Sequence, residues 1–161
     1  GEHQTTRLCL AAIERLIRPG DAVVDVGTGS GILAIAAARL GAGSVVAIEN
    51  DPKAVLVANE NIERNGLAKF VTVVEGTLGS ELLKEQTADL IVLNISSAIV
   101  RDSMADVART LKPGGFYVAS GFIDETLPAV QRAAASAGMR MLGVDEEGEW
   151  RCIVASAPSA R

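Results

Sequence analysis

A chain of 161 residues with 48% apolar content is long enough to form one domain around its own core. Aromatics make up only 3%, so the core must come from Ala, Val, Ile and Leu, which suits a buried parallel sheet under helices. A net charge of -5 argues against a binder of nucleic-acid phosphates, and no apolar run approaches the ~20 residues of a membrane span. The first residues do not have the make-up of a secretory signal, so a soluble, cytoplasmic protein is expected. Cys9 and Cys152 are too few and too far apart in sequence for a disulfide framework or a zinc site, and reduced, structural thiols are expected.

Leu8, Ala11, Ala12 and Leu16, with Cys9 and Ile13 beside them, recur at helical spacing. They predict a first helix over 5–18, capped by Thr5 or Thr6 and ended by Pro19-Gly20-Asp21. A strand over 23–26 then breaks into alternate glycines at 27, 29 and 31, followed by an alanine-rich helix over 32–40 and a second strand over 44–49. Asp51-Pro52 is an N-cap with proline at the first helical position, and that helix should run to Asn65-Gly66, where glycine can take the left-handed C-terminal conformation. A third strand is expected over 70–75, loop and a short helix over 76–85, a buried fourth strand over 88–94 and a helix over 98–111. Lys112-Pro113-Gly114-Gly115 reads as a turn into a fifth strand over 116–120, followed by a helix over 125–137. Two strands, 139–145 and 149–156, close the chain as a hairpin through Glu146-Glu147-Gly148. This alternation predicts a doubly wound α/β fold: a mostly parallel, seven-stranded, Rossmann-like sheet with an antiparallel C-terminal strand.

In such sheets ligands lie beyond the carboxyl ends of the strands, at the point where strand order reverses. The glycine turn is the first candidate, because glycines let a backbone approach a ligand closely. A dinucleotide fingerprint has its third glycine where Ile32 stands, whereas Gly27, Gly29 and Gly31 follow a G-x-G-x-G spacing, which favours S-adenosylmethionine over NAD. Glu49 ends the second strand, about 22 residues past the first glycine, where a carboxylate can accept hydrogen bonds from both ribose hydroxyls. Asp25 lies within the first strand, where an unpaired charge is costly, and either braces the glycine turn or meets the cationic part of the ligand. Asn94 ends the fourth strand with an amide oxygen that can accept from an amine. Gly76, Thr77, Ser120 and Gly121 complete the strand ends. Trp150 is expected to pack on the sheet, and His3 has no Asp or Cys at partner spacing, so neither a metal site nor a triad is expected.

With a start of Gly1-Glu2-His3-Gln4-Thr5-Thr6-Arg7-Leu8-Cys9-Leu10, the turn Gly27-Thr28-Gly29-Ser30-Gly31 running into Ile32-Leu33-Ala34-Ile35-Ala36-Ala37, then Asn94-Ile95, Ser120-Gly121 and Glu147-Gly148-Glu149-Trp150, the chain resembles the ribosomal protein L11 methyltransferase family over nearly its full length. The resemblance implies a class I fold binding S-adenosylmethionine, with S-adenosylhomocysteine as product. It also implies methylation of lysine and N-terminal amines on a basic ribosomal protein. Carried over by position, Thr6, Gly27, Glu49 and Asn94 would contact the cofactor; Glu49 stands where that family usually has Asp. Ser96-Ser97 replaces the usual Leu-Ala at the substrate mouth. Family members also carry an N-terminal substrate-recognition domain and Phe-Gly-Thr ahead of Gly1, so the chain is expected to be a catalytic domain alone or a shorter relative.

An amine-methylating enzyme of this kind chiefly has to present a neutral amine in line with the methyl carbon, and Asn94 is the expected catalytic residue, its oxygen orienting the amine. A lysine amine with a pKa near ~10.4 must arrive deprotonated, which a water-poor mouth favours. No dedicated general base is expected. The rival readings are a methyltransferase acting on another protein or a small-molecule amine, supported by Ser96-Ser97, an NAD-dependent oxidoreductase domain, and a non-catalytic cofactor-binding module.

Overall fold

The computed structural model describes residues 2–79 and 82–159. Its elements in chain order are α1 (Glu2–Leu16), β1 (Ala22–Val26), α2 (Ile32–Arg39), β2 (Ser44–Glu49), α3 (Pro52–Arg64), β3 (Val71–Glu75), β4 (Ala88–Asn94), α4 (Ser97–Asp102), α5 (Met104–Thr110), β5 (Leu111–Ile123), a 3-10 turn (Asp124–Thr126), α6 (Leu127–Ser136), β6 (Arg140–Glu147) and β7 (Trp150–Ser156). The seven strands form one sheet in the order β3-β2-β1-β4-β5-β7-β6. Only β7 runs antiparallel to its neighbours, inserted between β5 and β6. This is the expected doubly wound sheet, and its order reverses between β1 and β4.

Strand alternation divides the interior into two layers. On β4, Leu90 and Val92 join α1, α2 and α3 through Cys9, Ala12, Ile13, Leu33, Ala34 and Ile62. Ile91 and Leu93 point the other way, into Val100, Met104, Val107 and Val130 of α4, α5 and α6. Both faces are covered, which explains why β4 is apolar at almost every position. Sequence distance misleads for the cysteines: α1 packs against β7, and Cys9 and Cys152 interact in the core as free, buried thiols. The neighbouring Cys152 thiol, and then burial, hold the Cys9 thiol well above its ordinary range.

Five local expectations need correction. Helix α1 begins at Glu2, so Thr5 and Thr6 lie in its first turns and do not cap it. The helix expected over 98–111 is two helices parted at Ser103. Lys112-Pro113-Gly114-Gly115 falls inside β5, because the Gly114 N–H donates to the Pro158 carbonyl and the Gly115 carbonyl accepts from Ala157, leaving an irregular register against β4 between Ala88 and Leu90. The stretch over 76–85 contains no helix among its described residues; Ser80 and Glu81 lie outside them. The last hairpin is tighter than expected, with Glu147 paired to Trp150 across Gly148 and Glu149. By contrast, Asp51 caps α3 through a 3.0 Å bond from the Lys53 N–H, and Gly66 is left-handed at a φ of 69°, as anticipated.

Ile91, wholly buried at the middle of the sheet, should be the most expensive kind of truncation: Ile91→Ala is expected to lower unfolding free energy by about 2–5 kcal/mol in urea denaturation.

Candidate functional site

At the carboxyl end of β1 the chain must leave the sheet and start α2 within five residues, and several bonds hold this turn. The N–H groups of Gly27 and Thr28 donate to the Ile48 carbonyl at 2.8 and 3.0 Å, and the Asn61 side chain on α3 donates to the Ser30 carbonyl at 2.8 Å. One Glu49 oxygen accepts from the Gly29 N–H at 2.9 Å, and the other accepts from the Asp51 N–H at 3.0 Å. Glu49 therefore ties the glycine turn to the cap of α3, while each oxygen keeps a further lone pair for a ligand hydroxyl.

Two glycines let the end of β4 seat itself against this turn. A Cβ on Gly27 would lie 2.5 Å from Ile95 Cδ1, and a Cβ on Gly121 would lie 2.2 Å from the Ile95 carbonyl oxygen. Asn94 and Ile95 are clasped between β1 and β5, with the Ile95 N–H donating to the Ser120 carbonyl at 3.1 Å. Ser120 itself is fully buried and its hydroxyl donates to the Arg151 carbonyl, so it does not face the cleft.

The cleft opens on both sides of this clasp. One cavity of ≈ 350 Å³ has Thr6, Gly29, Ile32, Ser96, Gly121 and Trp150 among its walls, and one of ≈ 310 Å³ has Glu49, Asn50, Gly76, Thr77, Leu78 and Ile99. Gly27, Asn94 and Ile95 border both. Thr6, Gly27, Gly29, Glu49 and Asn94 are thus brought to two adjoining cavities at the strand ends. Gly31 and Asp25 line neither cavity: Gly31 is the left-handed N-cap of α2, against Ala58 of α3, and Asp25 lies beneath the turn, 1% exposed. Among the described residues no group of three or more His, Cys, Asp or Glu is placed to hold a metal.

Asp25 is a brace. Its Oδ2 accepts from the Thr28 hydroxyl at 2.6 Å, while Oδ1 makes no hydrogen bond of good geometry. Burial pushes its carboxyl up from 3.8 to about 6, with the Glu49 charge adding to the rise and the Thr28 hydroxyl and Ala34 N–H opposing it.

Ile32, Ile95 and Trp150 were not anticipated as lining residues. The signal for Trp150 is topological: the amino end of an antiparallel strand lies at the same sheet edge as the carboxyl ends of the parallel ones, so the first residue of β7 belongs with the other strand-end residues.

The family model described as ribosomal protein L11 methyltransferase (PrmA) matches residues 1–158. The chain belongs to this family. A ribosomal protein L11 methyltransferase of Pelotomaculum thermopropionicum is 48% identical over 96% of this chain and 50% of its own length, and that of Chloroflexus aurantiacus is 43% identical over 98% and 55%. The chain spans about half the length of these curated L11 methyltransferases. The crystal structure of ribosomal protein L11 methylase from Lactobacillus delbrueckii subsp. bulgaricus superposes with a TM-score of 0.90 at 34% identity, covering 97% of this chain and 80% of that one. The fold of that L11 methylase is therefore shared over nearly the whole chain.

Two outcomes are expected at this site. Gly121→Ala forces a Cβ into the Ile95 carbonyl at a φ of 102° and should cost about 2–4 kcal/mol, whereas Gly29→Ala, with open space around its Cβ, should cost only about 1–2 kcal/mol; urea titration of both variants separates the two. Because the folded Asp25 carboxyl binds its proton more tightly than the unfolded one, its contribution is best below pH 4 and is lost as pH rises through about 6, by about 3 kcal/mol in all. Asp25→Asn should therefore flatten the fall in melting temperature between about pH 4 and pH 6.5, and an equally steep fall would contradict the assignment.

Proposed function

We propose that the chain is the catalytic domain, over 1–161, of an S-adenosylmethionine-dependent protein N-methyltransferase that acts on lysine and N-terminal amines of a basic ribosomal protein of the L11 type. The observation that carries this reading is the pair of cavities meeting at Gly27 and Asn94, one bordered by a ribose-type carboxylate and the other by hydroxyl, amide and aromatic groups. Membership of the family supports the same reading.

The residues fit the cofactor. Glu49 offers two carboxylate oxygens to a diol, Gly76, Thr77, Leu78 and Ile99 give a largely apolar wall for a base, and Thr6 and Gly29 offer polar contacts to an amino-acid tail. S-adenosylmethionine would supply a methyl group on a sulfonium that already contains its leaving group. Asn94, whose side chain has no hydrogen-bond partner among the described residues, is free to accept an N–H from the incoming amine and aim its lone pair. Ile32, Ile95 and Trp150 reduce water at the mouth and so favour the neutral amine. Asp25 stays beneath the turn and takes no part in proton transfer. The absence of a third glycine at Ile32 and the single antiparallel strand β7 favour this reading over a dinucleotide oxidoreductase.

With methyl-labelled S-adenosylmethionine, the chain should transfer label to purified ribosomal protein L11. Asn94→Ala should lower kcat by about a hundredfold, the scale of losing alignment of the reacting groups. Transfer at the wild-type rate by that variant would remove Asn94 from the mechanism, and no transfer to any protein amine would overturn the function.

A further inference from the structure

Trp150, the single tryptophan of the chain, borders the ≈ 350 Å³ cavity from the first position of β7. It ends a hairpin whose outer strand, β6, is the edge of the sheet, and such ends fray unless something holds them. The next residue supplies the hold. Successive residues of a strand point to opposite sides, so Trp150 packs toward α1 while the Arg151 side chain faces the 3-10 turn and lines neither cavity. Its Nε donates to Asp124 Oδ1 at 3.1 Å, and Nη1 donates to the Gly148 and Trp150 carbonyls at 2.8 and 3.0 Å. Nη2 lies 3.4 Å from Glu146 Oε2. The arginine is 14% exposed and the two carboxylates 64% and 72%, so the guanidinium is the enclosed hub of this network. The main chain is pinned at the same place: the Asp124 N–H donates to the Glu149 carbonyl at 3.0 Å, and the Arg151 carbonyl accepts from the buried Ser120 hydroxyl at 2.7 Å. Opposite Arg151 the register of β5 shifts between Ser120 and Phe122, which makes Gly121, the glycine that admits Ile95, the extra residue of a bulge.

On the reading of the site as an amine methyltransferase, we propose that Arg151 is a positioning residue that anchors Trp150 at the mouth where the acceptor amine enters. It touches neither the cofactor nor the amine, and it acts through the hairpin end. The role calls for a guanidinium. Its planar fork of five N–H donors reaches acceptors on β6, the hairpin turn, the start of β7 and the 3-10 turn, whereas an ammonium offers three donors from one point. Without the fork, residues 148–150 fray, water enters the mouth, and the amine loses its alignment, which lowers kcat. Cofactor affinity should hold, because Glu49 borders the other cavity.

The experiment compares the unaltered chain with Arg151→Gln, Arg151→Lys and the milder Asp124→Asn. Arg15→Gln is the control, since Arg15 pairs with Asp145 of β6 on the surface and lines neither cavity. Fluorescence of the single tryptophan reads its place with no acceptor present. Emission should move to the red and acrylamide quenching should rise in both Arg151 variants, less so in Asp124→Asn, and not at all in Arg15→Gln. With labelled S-adenosylmethionine and ribosomal protein L11, both Arg151 variants should lose about tenfold in kcat, a modest misalignment of the reacting groups. Their calorimetric affinity for S-adenosylhomocysteine should stay within about twofold of the unaltered chain, as for well-separated sites. Unmoved fluorescence in the Arg151 variants, full activity of Arg151→Lys, or a loss of cofactor affinity as large as the loss of kcat overturns the role of Arg151. Should the Arg151 variants not fold, Asp124→Asn decides alone: shifted fluorescence with lowered kcat supports the role, and unmoved fluorescence overturns it. No methylation by the unaltered chain overturns the methyltransferase reading and the role in transfer, while a fluorescence shift in that case still supports Arg151 as the anchor of Trp150.

Discussion

The site depends on a close approach that two missing side chains permit. The end of β4 lies between the turn after β1 and the bend in β5, closer to the bend than a Cβ at Gly121 would allow, and a Cβ at Gly27 would push the Ile95 side chain aside. That contact puts Asn94 at the centre of the strand-end cleft and makes Ile95 the divider of its two halves. The parallel ladder from β2 to β5 sets the direction of approach, and the reversal of strand order between β1 and β4 opens the crevice into which these ends project.

Around this clasp, polar bonds fix the turn without filling the cleft. Glu49 bridges Gly29 and Asp51, Asn61 holds Ser30, and Asp25 braces Thr28 from below. The first and last of these are carboxylates with different surroundings. Glu49 keeps lone pairs toward the cavity, whereas Asp25 is sealed in and is held more readily protonated than an ordinary aspartate. On the far side, α1 carries Thr6 to the cleft, and its ion pairs to β6, Arg7 with Glu147 and Arg15 with Asp145 at 2.6 Å, lie on the surface where they orient more than they stabilise.

Much of this was legible in the sequence because the signals were local. The apolar run of β4, the Asp51-Pro52 cap and the left-handed Gly66 each declare themselves within a few residues, and alternating strands and helices imply the sheet. What was not legible depended on contacts distant in the chain. Lys112-Pro113-Gly114-Gly115 joins β5 because Ala157 and Pro158 pair with it, and Cys9 meets Cys152 only because α1 packs on β7. Asp25 and Gly31 share a motif with Gly27 and Gly29 yet line neither cavity, since Asp25 is sealed beneath the turn against Thr28 and Gly31, as the cap of α2, turns its backbone toward α3. Trp150 was placed on the sheet, where it also packs, but its position at the start of an antiparallel strand brings it to the cleft as well.

Under the proposed function, one elongated adenosyl ligand spans the clasp with its ribose on Glu49. Calorimetric titration of the chain with S-adenosylmethionine, S-adenosylhomocysteine and NADH, repeated on Glu49→Ala and Glu49→Gln, tests it directly. Both adenosyl ligands should bind and NADH should not. The alanine variant should lose at least about tenfold in affinity, with the glutamine variant in between, because a charged acceptor of two hydroxyls is worth more than a neutral one. Tight NADH binding, or adenosyl binding indifferent to both substitutions, would contradict the account.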